Sequence, residues 1–346
     1  MKGGADIAAG RFAHHGGRLC VARALFPDVT QPWIDLSTGI NPSSYPAPRA
    51  SARERNRLPE PTDLAKLEAT AAAAFGVDDP ARVVATGGTE NVLRLLPYLL
   101  NVASAVIAGP TYGSHADAWT RAGIGTNVVA DAELTTRAAA KTAMTVVTPN
   151  NPDGRVMSRE RLLSLHGTLH ANNGLLIVDE AFADLEPQLS VAGLAGTSRA
   201  PRMMVLRSFG KFYGLAGIRL GFVIASTSIA TRLRHLLGDW PVSADALCAG
   251  LAAYADEAWA ARTRLRLHRA AQRLDKLLVS GGMTIVGGTS LYRLARAPDA
   301  RARFTQLASR GILARPFDYD STLLRFGLPL AANDWRRVAN ALKMQP

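Results

Sequence analysis

"SFGKFYGLAGIRLGF", residues 208–222, sets Lys211 among aromatic residues and glycines, with Arg219 eight positions on. The chain has only six lysines against 34 arginines, so this placement stands out. Lysine ordinarily keeps its ammonium in water. A lysine in an apolar, glycine-lined turn instead suggests an amine kept partly neutral by its surroundings, which is a nucleophile.

Working outward from this stretch, residues 82–226 alternate short apolar runs with amphipathic segments. The runs are "RVVA" (82–85), "SAVIAG" (104–109), "TNVVA" (126–130), "MTVVT" (144–148), "GLLIVDEAF" (174–182), "RMMVLRS" (202–208) and "LGFVIAS" (220–226). Seven β-rich runs separated by helical segments, one of them near 158–171, predict an α/β fold with a mostly parallel sheet between helices. From about 228 to 279 the pattern is long and helical, interrupted by Pro241. Short strands then return as "MTIVG", "SLYRLA", "GILARPF" and "TLLRFGL", with helices over 299–310 and 334–343 and Asn333 as N-cap of the last. The reading is an N-terminal arm over 1–45 that belongs with the small domain, a large domain over 46–240 and a smaller α+β domain over 241–346.

The length of 346 residues favours two domains. With 48% hydrophobic and 20% charged residues the composition is that of a globular protein. Two cysteines, Cys20 and Cys248, make neither a disulfide framework nor a zinc site, and they fit a reducing cytoplasm. The start of the chain lacks the apolar stretch of a signal peptide, and no run of about 18 apolar residues occurs, so no spanning helix is expected. A net charge of +12 leaves nucleic acid, a membrane surface or anionic small molecules open as partners.

Three further motifs bear on the chemistry. In "ATGGTEN" (85–91) a strand ends in two glycines and Thr89 opens a helix, a geometry that aims backbone N–H groups at an anion. A plain strand–helix turn capped by Thr89 reads the same way. "TPNNPDG" (148–154) is a turn whose amide side chain can face the carboxyl end of a strand, where open α/β sheets bind ligands, or it is a connection only. In "LLIVDEAF" (175–182) Asp179 ends an apolar strand and needs a partner, either a cationic ring nitrogen or a structural ion pair. Glu180 faces the other way and reads as structural. A lysine, a phosphate cradle and a buried acid together form the inventory for pyridoxal phosphate.

In their order these motifs resemble fold-type I pyridoxal-phosphate enzymes of the aminotransferase superfamily: a glycine turn, an aromatic after the next strand, N-N-P-x-G, D-E-A-[FY], then S-x-x-K with arginine eight later. The resemblance covers nearly the whole chain. It implies that Lys211 forms the Schiff base, Asp179 pairs with the pyridine nitrogen, Asn151 bonds the ring hydroxyl and Tyr112 lies against the ring. Gly88, Thr89, Ser208 and Arg219 hold the phosphate, and Arg325 in "LLRFGLP" grips a substrate carboxylate. It also implies a homodimer. Two positions depart from the pattern. Phe182 stands where a tyrosine commonly reaches the ring hydroxyl, and Leu58 where the neighbouring subunit's tyrosine often meets the phosphate. Neither touches Lys211 or Asp179.

The segment 14–46, with "HHGGR" and "DLSTGINP", is similar to the start of L-threonine-O-3-phosphate decarboxylases of cobalamin biosynthesis, a group close to histidinol-phosphate aminotransferases. The reaction this implies turns L-threonine phosphate into (R)-1-amino-2-propanol O-2-phosphate and CO2. A phosphate-substrate aminotransferase is the alternative. The implied substrate contacts are His15, Gly16 and Gly17, with Asn41 at the entrance, Asn151, and Arg315 and Arg325 as anion clamps, Arg325 favoured for the carboxylate. Taken without the resemblance, His-Gly-Gly near a terminus reads as flexible chain and Arg315 before Pro316 as surface. A different class of protein is suggested by "ARTRLRLHRAAQRLDK" (261–276), which places Arg262, Arg266, Arg269 and Arg273 on one helical face. A solvated face is preferred to a nucleic-acid site, since Leu265 and the other apolar positions fit an amphipathic helix and no helix-turn-helix module is visible. The expectation is therefore an enzyme acting on a small phosphorylated amino acid, with no nucleic-acid or membrane partner.

Overall fold

The computed structural model describes residues 10–12 and 14–343. The first nine residues of the expected arm, Ala13 and the last three residues lie outside it. The chain forms two compact units. One is built from the chain up to Ser44, from Pro152–Gly154 and from Ala261 onward; the other comprises Tyr45–Asn151 and Arg155–Ala260.

The larger unit carries a seven-stranded sheet. Across it the strands run Val83–Thr86, Gly221–Ile224, Met203–Ser208, Leu175–Asp179, Thr142–Val147, Ser104–Ala108 and Gly125–Val129. All pairings are parallel except those of Gly221–Ile224, which is antiparallel to both its neighbours. The central strands are buried along almost their whole length. That burial explains why they read as continuous apolar runs and not as alternating ones. Helices cover the sheet with apolar stripes. In Thr89–Leu99 the stripe is Val92, Leu93, Leu96 and Leu99, which joins Trp119, Ile177, Leu206 and Val223 in the core.

Register fixes the site. Val147 pairs with Asp179, and Asp179 with Leu206. Parallel strands all end on the same edge, so Thr148, Asp179 and Ser208 come out together at the carboxyl edge. Beneath that edge lies a buried ionic cluster. Arg207 donates to Glu180 at 3.0 Å and to Asp184, and its guanidinium lies 4.5 Å from the Phe75 ring centre. The two carboxylates outweigh the cost of burial and hold Arg207 charged. Glu180 also accepts from Ser190 Oγ and from the Val191 amide, so it is fully committed to structure.

The smaller unit pairs Ile34–Asp35 in parallel with Ile312–Leu313. Beside that pair it forms an antiparallel sheet in the order Arg315–Pro316, Leu323–Gly327, Tyr292–Arg296 and Thr284–Thr289. The isolated piece Pro152–Gly154 belongs here because glycines let it run against the last strand. The Gly288 amide donates to the Asp153 carbonyl at 2.6 Å, and a Cβ on Gly154, where φ is +74°, would sit 2.0 Å from the Gly288 oxygen.

Three expectations need correction. The change of unit falls after Ala260 and not at 240, because helix Ala244–Ala255 packs on helix Pro61–Phe75: a Cβ on Gly250 would meet Leu67 at 2.6 Å. Leu265 is 61% exposed; the buried face of helix Glu257–Ser280 is instead Leu267, Ala271, Leu274 and Leu278. Two arginines of its basic face are engaged, Arg266 donating to Asn41 and Arg273 lying over Trp335. The last helix runs Ala332–Lys343, so Asn333 lies inside its first turn, and Asp334 accepts from the Ala331 amide.

The buried cluster predicts a stability effect. Arg207→Met leaves two buried carboxylates without their cation and should cost about 3–5 kcal/mol, read as a lower urea midpoint. A loss under about 1 kcal/mol, the range of a surface pair, would remove the cluster from its structural role.

Candidate active site

At the carboxyl edge of the large sheet lies a cavity of about 260 Å³ lined by Gly88, Thr89, Glu90, Tyr112, Asn151, Asp179, Phe182, Ser208, Lys211 and Arg219, among others. The structure therefore brings together in one unit all eight residues expected around the cofactor. Lys211 sits on the four-residue helix Phe209–Phe212, directly after the strand ending in Ser208. Its aromatic neighbours hold that helix in place. Tyr213 stacks on Phe209 at 4.8 Å and on Trp259 at 5.6 Å, Phe212 meets Trp259 edge-on, and Tyr45 meets both Tyr213 and Trp259 edge-on. Stacking of this kind locks the short helix, which would not persist alone.

Arg219 explains the glycine at position 88. Arg219 adopts a left-handed backbone, φ +59°, and its guanidinium lies over the Gly88 backbone. A Cβ on Gly88 would come within 2.5 Å of Arg219 Nη2, and Gly88 itself has φ +97°. Thr89 opens the helix that follows. A guanidinium, a helix N-terminus and the Ser208 hydroxyl thus line one wall, a donor set suited to phosphate.

Asp179 is buried, and its partner in the protein escaped the sequence reading. His115 Nε2 lies 2.9 Å from Asp179 Oδ2, and the histidine is 1% exposed. The other carboxylate oxygen accepts from the Ala181 amide. His115 lies on helix Ser114–Arg121 just after Tyr112, 64 positions from Asp179, so only the three-dimensional fold joins the two. Glu90 was also missed. It accepts from Tyr112 Oη at 3.1 Å and pairs with Arg94 at 2.8 Å. Burial, with the Glu90 carboxylate adding to it, pushes the Tyr112 phenol up, so the hydroxyl stays protonated and donates. Phe182 is buried in the lining.

Apart from Asn151, which lines the cavity in the larger unit, the expected substrate residues lie in the smaller unit. Arg315 and Arg325 are directly opposite each other across antiparallel strands and are 8% and 3% exposed. Arg325 donates to the Ser37 carbonyl at 2.6 Å and lies 5.0 Å from the Tyr292 ring centre; Arg315 donates to the His14 carbonyl at 3.0 Å. Burial, with the Arg315 charge adding to it, lowers the pKa of the Arg325 guanidinium to about 9. An anion placed against both guanidiniums reverses those penalties. Gly16 packs against the Ser37 backbone, and the Gly17 amide donates to Ser37 Oγ at 2.8 Å. His14, Gly16 and Gly17 are thereby tied to the strand edge beside the arginines, and His15 packs against the His14 ring. Asn41 has a different place: its side-chain oxygen accepts from the Ser43 amide and from Arg266, so it shapes a turn.

Comparison with known proteins bears on the whole chain. Residues 31–342 match the model of the family described as aminotransferase class I and II. A threonine-phosphate decarboxylase from Sinorhizobium is 41% identical, over 95% of this chain and 97% of its own. A histidinol-phosphate aminotransferase from Thiobacillus denitrificans is 30% identical, over 86% of this chain and 79% of its own. Among solved structures, the L-threonine-O-3-phosphate decarboxylase from Porphyromonas gingivalis superposes with a TM-score of 0.73 at 18% identity, covering 89% of this chain and 98% of that one. That likeness is one of fold. With the family model matching most of its length, the chain belongs to the aminotransferase class I and II family.

Proposed function

We propose that the protein decarboxylates L-threonine O-3-phosphate to (R)-1-amino-2-propanol O-2-phosphate, using pyridoxal 5'-phosphate. One observation carries this reading: identity to a threonine-phosphate decarboxylase is 41% across almost the full length of both chains, against 30% to a histidinol-phosphate aminotransferase. Cobalamin biosynthesis is the pathway this reading implies.

The larger unit fits the cofactor. The side-chain-free surface at Gly88 lets the Arg219 guanidinium lie directly on the backbone at the helix start, where any other residue would displace that phosphate donor. Thr89, Ser208 and Arg219 would hold the phosphate, with Lys211 beside the aldehyde group, Asn151 at the ring hydroxyl and Tyr112 against the ring. Bound there, pyridoxal phosphate supplies an electron sink for the bond broken at Cα. Asp179 holds the ring nitrogen's proton, and His115 fixes the orientation of its carboxylate. Lys211 Nζ stands ready to return a proton to Cα once CO2 has left. Phe182 offers no hydroxyl to the ring oxygen, which leaves Asn151 as its polar partner on this lining.

Specificity for a doubly anionic substrate rests on Arg315 and Arg325. One guanidinium takes the carboxylate and the other the substrate phosphate, Arg325 being assigned the carboxylate. Holding both ends decides which bond at Cα stands perpendicular to the ring, and hence whether CO2 or a proton departs. The Gly16 amide and His15 complete the phosphate contacts, on a turn that Ser37 Oγ holds through the Gly17 amide. A homodimer and a cytoplasmic location complete the reading. They are supported by the exposed apolar Leu58, Tyr98 and Trp240 and by the two free cysteines. No helix among the described residues is long and apolar enough to cross a membrane.

The deciding experiment supplies L-threonine phosphate without an oxoacid and measures CO2 and aminopropanol phosphate. Turnover is expected; activity that appears only with 2-oxoglutarate, or only with histidinol phosphate, would replace decarboxylation by transamination. Gly88→Ala should weaken pyridoxal-phosphate binding at least about tenfold, a loss of about 1.4 kcal/mol, in an absorbance titration, because its methyl displaces the Arg219 guanidinium; unchanged affinity would remove Arg219 from the phosphate wall. Arg325→Ala should lower kcat/KM at least about thirtyfold, the loss of a charge-assisted pair worth about 2 kcal/mol. Arg325→Lys should recover little of it. Full activity in either would return the carboxylate to Arg315.

A further inference from the structure

The larger unit has a second cavity at the opposite end of its sheet, about 590 Å³ in volume, that the reaction does not use. It opens where the parallel strands begin. Its walls are Leu100–Val102 ahead of Ser104, Lys141 ahead of Thr142, Asn173 ahead of Leu175, Pro201–Arg202 ahead of Met203, and the start of helix Thr227–Leu237. A strand of five or six residues separates it from the cofactor cavity, roughly 15–20 Å.

Its charge is one-sided. Lys141, His170, Arg202 and Arg232 come from four different elements and line the same space. The segments that form the walls, residues 97–104, 137–142, 168–175, 198–203 and 225–233, contain no aspartate or glutamate. The hydrogen bonds that anchor the two arginines end on backbone oxygens, Arg202 on the Asn173 carbonyl and Arg232 on the Leu99 carbonyl, so their charges are fixed in place without being neutralised. Ser226, Ser228 and Ile229 bring the positive end of an 11-residue helix to the same cavity. His170 stacks on His166, which accepts the Arg202 amide and whose proton affinity burial and His170 depress.

Backbone geometry points to the same place. Among the described residues three non-glycines have positive φ: Arg219 at the cofactor cavity, and Lys141 at +53° and Asn173 at +55°, both on the walls of this second cavity. Asparagine tolerates that conformation, but lysine gains nothing from it locally. The two turns are tied together, the Lys141 amide donating to the Asn172 carbonyl and Asn172 Nδ2 to the Ala138 carbonyl. Leu100, Val102, Leu175, Pro201 and Ile229 supply an apolar surface beside the cations.

We propose that this cavity binds a phosphate ester of nucleotide size. Its phosphates lie among Lys141, Arg202, Arg232 and the helix start, and its less polar body rests on Val102, Pro201 and Ile229. The dimensions are those of ordinary ligand pockets, and an anion bound there lowers the mutual repulsion of the like charges.

The test is calorimetric titration of the holoenzyme, its cofactor phosphate site filled, with ATP, pyrophosphate and adenosine. A variant carrying Lys141→Gly, Arg202→Ser and Arg232→Ser is compared with wild type. Wild type should bind ATP with submillimolar affinity, pyrophosphate more weakly and adenosine not at all. The triple variant should lose at least tenfold in ATP affinity while keeping decarboxylase kcat/KM. Lys141→Gly alone should weaken ATP binding yet raise Tm, since glycine accepts the positive φ that lysine tolerates poorly. Equal ATP binding by wild type and triple variant would overturn the site. So would ATP too weak to saturate at millimolar concentration while heparin binds and is lost in the variant, because that result describes a general polyanion surface.

Discussion

In-register parallel pairing of Thr142–Val147, Leu175–Asp179 and Met203–Ser208 is the constraint on which the rest of the molecule depends. These strands are buried on both faces, so their apolar sequence alone would tolerate a shift. What pins them is at their ends. Glu180 and Arg207 lie one residue beyond and one residue short of the two functional strand ends, and their ion pair ties the strands at the level where Asp179 and Ser208 emerge. A slip of one residue would break that buried pair and turn every side chain to the other face. The charge cluster and the chemistry are therefore neighbours for a reason: the first sets the register that presents the second.

The two units solve different electrostatic problems. In the larger one, three charged groups at or beneath the edge have a designated counterpart within the protein: Asp179 with His115, Glu90 with Arg94 and Tyr112, Arg207 with Glu180 and Asp184. In the smaller one, Arg315 and Arg325 face each other from adjacent strands. Each donates to a backbone carbonyl, which fixes its direction.

Much of this was legible in the amino-acid order because the functional groups sit at strand ends, where an apolar run stops at a polar residue. Asp179, Ser208, the turn at Gly87–Gly88 and Asn151 all carry that signature. His115 carries none. It reads as a helix residue three positions after Tyr112, and its partner is reached only by bringing two strands and a helix together. Asn41 likewise shows in the sequence only its asparagine-proline loop context; that its oxygen accepts from the Ser43 amide and from Arg266, 225 positions away, comes from the fold. The change of unit at Ala260 was hidden because Pro241 marks a break in helical periodicity while packing continues across it, helix Ala244–Ala255 lying on helix Pro61–Phe75.

The aromatic wedge behind Lys211 has an optical consequence. Trp259 stacks on Tyr213, and Tyr213 stacks on Phe209 of the lysine's own helix, so one indole lies a single ring away from the backbone that carries the reactive amine. Emission from that indole therefore registers any rotation of the lysine helix and is quenched by energy transfer to a chromophore attached to the amine. The packing that rigidifies the site also gives the protein an intrinsic fluorescent reporter of its own loading.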